Sequence, residues 1–193
     1  MKTKPKFSIT VYCGATTEAK QTHVDLAHDL GEFIGQNDWA LYYGGSTKGL
    51  MGAVAESALK AGGEVHGISF ENEFLISREP RNDNLTSQFV AKSIHARKEL
   101  LHANADVIVV LPGGLGTLDE TFEALTMQYL DILDAPILFI NNQDFWNPVK
   151  ALLQHLTKEK FVKDPLRLNY KMIDTLEETK ELLLSYAREW QSL

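Results

Sequence analysis

The chain holds one cysteine in 193 residues, Cys13, so no disulfide can form within it, and no Cys/His array has zinc-ligand spacing. That usage fits a reducing, cytoplasmic setting. Positive charge is also scarce. The 19 Lys and Arg against 26 Asp and Glu leave a net charge of −7, which argues against nonspecific binding to nucleic acid, since that depends on a basic surface. Long apolar runs are missing as well. The basic start, Met1-Lys2-Thr3-Lys4-Pro5-Lys6, is followed by an apolar run over residues 7–11 only. That is too short for a signal-peptide core and far too short to span a membrane. The six histidines are scattered, with no H-E-x-x-H or similar pattern, so no metal is expected.

What is present is ordinary globular composition. At 44% hydrophobic and 23% charged residues, the chain can build a full core, most simply as one domain over residues 1–193. Strand and helix patterns alternate throughout. Strands are expected at residues 7–13, 39–43, 64–69, 88–90, 107–111, 136–140 and 172–174. Helices are expected at 23–35, 50–61, 94–103, 121–130, 146–157 and 177–190. Such alternation predicts an α/β fold of Rossmann-like, doubly wound type, a mostly parallel sheet with helices on both faces. Ligands of such sheets bind at the carboxyl ends of the strands. Residues 71–87 form the least regular stretch, and a long loop in a compact domain is often functional.

The most informative string is Pro112-Gly113-Gly114-Leu115-Gly116-Thr117-Leu118-Asp119-Glu120, placed between an unbroken β-branched run and a helical pattern. Gly113, Gly114 and Gly116 let the backbone approach a ligand, and a helix opening there presents free N–H groups to an anion. Thr117 adds a hydroxyl. Glu120 opposes phosphate binding by charge, so chemistry is its better use. A second cluster, Gly44-Gly45-Ser46-Thr47-Lys48-Gly49, follows the second strand. It is neither a dinucleotide fingerprint nor a Walker A loop, because Leu50 stands where the Walker lysine belongs. Both loops predict a small-molecule nucleotide as ligand.

These strings resemble the LOG ("Lonely guy") family of cytokinin riboside 5′-monophosphate phosphoribohydrolases. The resemblance runs from about residue 7 to 184. It rests on Val11-Tyr12-Cys13-Gly14, on Tyr43-Gly44-Gly45 with Gly49-Leu50-Met51-Gly52, on His95 with Arg97-Lys98, and on residues 112–120. It implies cleavage of the N-glycosidic bond of a nucleoside 5′-monophosphate to free base and ribose 5-phosphate, without a cofactor, in a homodimer or larger assembly. It implies Arg97 and Glu120 as the catalytic pair. The substrate contacts it implies are Glu79, Lys98, Thr126 and the loop residues Gly113, Gly114, Gly116 and Thr117, with Gly44 and Gly45 from the second glycine loop. The chain departs from the family pattern after Glu120, where Thr126-Met127-Gln128-Tyr129-Leu130-Asp131 replaces T-W-x-Q-L-G, and at Ser46, where a third glycine is common. Members also carry the label "possible lysine decarboxylase". A pyridoxal-phosphate lysine would follow histidine in S-x-H-K, and Ala96 occupies that position here. The competing expectation is a non-catalytic binder of a nucleotide or a molybdopterin-type cofactor on the same fold.

Overall fold

The computed structural model describes residues 6–72 and 80–192. Glu79, expected as a substrate contact, lies outside the described residues. Seven strands form one wholly parallel sheet: β1 (Ser8–Tyr12), β2 (Ala40–Tyr43), β3 (Glu64–Phe70), β4 (Ser87–Ala91), β5 (Val107–Val110), β6 (Ile137–Ile140) and β7 (Tyr170–Ile173). The described helices are α1 (Gln21–Gln36), α2 (Gly49–Lys60), α3 (Ile94–Ala103), α4 (Leu115–Tyr129), α5 (Asn147–Lys158) and α6 (Leu176–Gln191). None of them is long and apolar enough to cross a membrane.

Strands β5 and β6 read VIVV and ILFI and are buried at every position, as strands covered on both faces must be. Side-chain alternation then divides the core in two. Ile9, Val11, Val107, Val109 and Leu138 pack with α1, α2 and α6. Tyr12, Ile108, Val110, Ile137 and Phe139 pack with α3, α4 and α5. Helix α2 lies close against α1 because Gly31 and Gly35 carry no side chain: a Cβ on Gly31 would fall 2.2 Å from Val54 O, and one on Gly35 2.5 Å from Ala58 O.

The strand order is β4-β3-β2-β1-β5-β6-β7. The chain builds outward from β1 to β4, then returns to place β5 on the other side of β1. The reversal opens a crevice at the carboxyl ends of β1 and β5, where doubly wound sheets hold their ligands. Two backbone links stitch that crevice together: Gly14 N–H donates to Pro112 O at 3.0 Å, and Leu50 N–H donates to Gly14 O at 3.0 Å.

One boundary differs from the sequence expectation in a way that matters. Helix α4 starts at Leu115, not at residue 121, with Gly114 as its N-cap and no side-chain cap. Gly116 and Thr117 therefore belong to the first helical turn, and Glu120 is one turn further on the same side. Glycine lowers helix propensity by about 1 kcal/mol, which hides this turn from a pattern-based reading.

Candidate active site

Arg97 and Glu120 meet at the crevice. Arg97 Nη1 lies 2.6 Å from Glu120 Oε1, and Arg97 Nε donates to the Ile68 carbonyl at 2.8 Å. Only 8% of Arg97 and 4% of Glu120 is exposed. Ser93 caps α3 by accepting from Ala96 N–H at 3.1 Å, and so fixes the turn that carries Arg97. The β3 carbonyl and the guanidinium together hold one carboxylate oxygen in place. Glu120 is thus an oriented carboxylate with water excluded from most of its surface.

Both side chains line a cavity of about 720 Å³ at the switch point. Its floor is Gly14 and residues 112–117, including the open first turn of α4; Phe70, Ile94 and Leu115 supply apolar wall. The free N–H groups of that first turn have no side-chain acceptor, which makes them a ready anion site. A Cβ on Gly113 would lie 2.1 Å from Thr117 Oγ1, so glycine there is what lets the loop fold over that hydroxyl. Among the described residues no group of three or more His, Cys, Asp or Glu could hold a metal ion.

Gly44 does not line this cavity. It stands behind Arg97, where a Cβ would fall 2.3 Å from Arg97 Nη2 and 3.0 Å from Met51 Sδ. Its contribution is room for the guanidinium. Gly44→Ala is therefore expected to displace Arg97 and cut kcat about tenfold, since sub-ångström positioning of catalytic groups carries penalties of this order or more; steady-state kinetics beside a thermal melt checks this. Gly45 likewise lies off the cavity wall. Its φ of +81° supports the turn, and its carbonyl accepts from Asn82 N–H at 3.1 Å. Ser46 is not among the residues with positive φ, so it replaces glycine there without strain.

Lys98 is also absent from the cavity wall. Consecutive helical residues point about 100° apart, so Arg97 faces the crevice and Lys98 faces α4. There it pairs with Asp119, at 3.0 Å, and with Glu123. Burial pushes its pKa down, but the two carboxylates more than offset this and hold it above the ordinary lysine value. Lys98 is a locked structural cation. Thr126 is exposed, and its hydroxyl donates to Phe122 O at 2.7 Å. Six residues beyond Glu120, it is turned to another face of α4. The departing residues after it lie off the cavity too. Gln128 donates to Ala135 O at 2.7 Å, Tyr129 OH accepts from Lys163 N–H at 3.3 Å, and Asp131 pairs with Arg167 at 2.5 Å.

A buried polar pair adjoins the site. Burial, and after it the charge of Glu120, pushes the Tyr12 phenol well above its usual pKa. Tyr12 therefore keeps its proton, and its hydroxyl shares a hydrogen bond with His102 Nδ1 at 2.7 Å. Burial lowers the His102 pKa, and its Nε2 stands 3.7 Å from Glu123.

Known proteins resemble this chain closely enough to place it. The family model described as "possible lysine decarboxylase" matches residues 51–183. A cytokinin riboside 5′-monophosphate phosphoribohydrolase of Rhodococcoides fascians is 35% identical over 80% of this chain and 78% of its own length. The chain belongs to the LOG family. The Arabidopsis thaliana member LOG3, named as a cytokinin riboside 5′-monophosphate phosphoribohydrolase, is 31% identical over 95% of this chain and 85% of its own. Among solved structures, the molybdenum cofactor binding protein of Rippkaea orientalis superposes with a TM-score of 0.70 at 26% identity, covering 93% of this LOG-family chain and 96% of that one.

Proposed function

We propose that the protein hydrolyses the N-glycosidic bond of a nucleoside 5′-monophosphate, of AMP or N6-modified AMP type, acting as a single-domain enzyme of the cytoplasm. The buried Arg97–Glu120 pair beside an open helix N-terminus carries this reading. The phosphate sits on the first-turn amides of α4 and on the Thr117 hydroxyl. That places the ribose along the α4 surface toward Glu120, one turn further on. As the C1′–N bond breaks, positive charge develops on the sugar ring, and a fixed carboxylate stabilises it or takes a proton from the attacking water. The water oxygen bonds to C1′ and the departing base nitrogen gains a proton, giving ribose 5-phosphate and free base. A guanidinium is a poor proton donor, so the work of Arg97 is to hold the Glu120 carboxylate in one orientation. Incubation with a panel of purine and pyrimidine 5′-monophosphates tests this reading. Base release from at least one adenine-type nucleotide is expected, and silence across the panel contradicts it.

The likeness to a molybdenum cofactor binding protein supports the second reading, a binder without turnover. A buried carboxylate at the ligand cavity favours the enzyme, because it opposes an anionic ligand and serves no evident purpose in a carrier.

The active assembly is a homodimer or larger. Leu115 is 86%, Leu130 58% and Ile132 64% exposed, so α4 and its end carry apolar surface that one chain leaves uncovered. Light scattering is expected to give at least twice 21.7 kDa. A fully active monomer at micromolar concentration contradicts the assembly.

A further inference from the structure

We propose that Lys20 is the cation that meets the substrate's 5′-phosphate, where the family resemblance implies Lys98 as a substrate contact. The inference rests on the phosphoribohydrolase reading and names a binding residue for it.

A dianionic phosphate entering this cavity needs positive charge, because the Glu120 carboxylate is already there. Arg97 is committed to Glu120 and to the Ile68 carbonyl. Lys98 is committed to Asp119 and Glu123 and is off the wall. Among the described residues, Lys20 and Arg97 are the lysine and arginine side chains on that wall, and Lys20 makes no ion pair among them. Its charge reaches into the cavity: His23, another wall residue, has its pKa lowered by burial and then by Lys20. His23 is 6% exposed, its Nδ1 is buried without a hydrogen-bond partner, and its ring meets Phe145 edge-on at 5.5 Å. An unpartnered buried imidazole marks this end of the cavity as built for a polar ligand.

The position of Lys20 costs the fold something. It is the N-cap of α1, with no side-chain cap bond and no acidic residue in the first turn. Lysine offers no acceptor to the free N–H groups, and its charge opposes the positive end of the helix dipole. Lys48 is the N-cap of α2, but it lies outside the cavity wall, and the α2 amides of Leu50 and Met51 are satisfied by Gly14 O. At α1 the unfavourable cation shares the crevice with the uncapped start of α4. An anion bound between them relieves both.

The test uses Lys20→Ala, Lys20→Arg and the control Lys48→Ala in the full chain, with AMP and ribose 5-phosphate binding by calorimetry beside steady-state kinetics on AMP and adenosine. Lys20→Ala is expected to weaken binding of both phosphates and raise KM for AMP about tenfold, the scale of one charge-assisted hydrogen bond at a partly exposed site. Its selectivity for AMP over adenosine should drop by the same factor. Lys20→Arg should restore most of it, and Lys48→Ala should match wild type. The thermal midpoint of Lys20→Ala should hold or rise, where a structural lysine would lower it. Equal Kd and KM in Lys20→Ala and wild type overturn the proposal. Wild type that binds AMP but releases no base overturns the hydrolase reading alone, and the Kd comparison still decides Lys20. If wild type binds neither phosphate compound, both ideas fall.

Discussion

Glu120→Gln is expected to lower kcat about 10²-fold or more while the protein still binds its nucleotide. The amide is close in shape to the carboxylate and keeps an oxygen that can accept from Arg97 Nη1, now 2.6 Å away. The bond from Arg97 Nε to Ile68 O is untouched, so the cavity keeps its form. What disappears is the negative charge facing the developing sugar cation, together with any capacity to take a proton from water. Removing a carboxylate next to a bound phosphate should, if anything, tighten ground-state binding. The variant also leaves a mostly buried guanidinium without its counter-charge, a loss of about 1–3 kcal/mol and hence several degrees in Tm for a domain of this size. Single-turnover kinetics, calorimetric Kd and a thermal melt separate the three effects. A kcat near that of wild type would remove Glu120 from the chemistry.

Removing the phosphate from the substrate should cost still more. Adenosine is expected to fall about 10³-fold below AMP in kcat/KM. Two or three charge-assisted hydrogen bonds, each contributing about 1.5–3 kcal/mol, account for that factor. Some of this loss should appear in kcat, because phosphate held on the first turn of α4 is what registers C1′ against Glu120 one turn along. Equal cleavage of adenosine and AMP would mean that residues 113–117 do not cradle a phosphate.

Strand positions were readable from the sequence because β5 and β6 are continuous apolar runs, and every expected strand and helix occurs with shifted ends except for α3, which spans residues 94–103 as expected. The early start of α4 was hidden by the glycines that make its first turn useful. The Arg97-Lys98 string reads as one unit in sequence, yet a helix sends the two side chains to different neighbours. Their divergence was legible in principle from the helical angle alone, and Asp119 and Glu123, four apart on α4, mark the face that receives Lys98. The Ile68 carbonyl that steers Arg97 was not legible, because a backbone acceptor leaves no sequence trace. Nor was Lys20, because the expected helix begins at residue 23 and only the observed start at Gln21 makes Lys20 its N-cap.

Product identity decides whether this cavity breaks a C1′–N bond. Purified protein incubated with AMP, and separately with an N6-prenylated AMP, is resolved by chromatography with mass detection for base, ribose 5-phosphate, nucleoside and inorganic phosphate. Equal amounts of free base and ribose 5-phosphate are predicted, without nucleoside or inorganic phosphate, and Glu120→Gln should slow the release of both together. Nucleoside with inorganic phosphate, or intact nucleotide bound and returned unchanged, would contradict it.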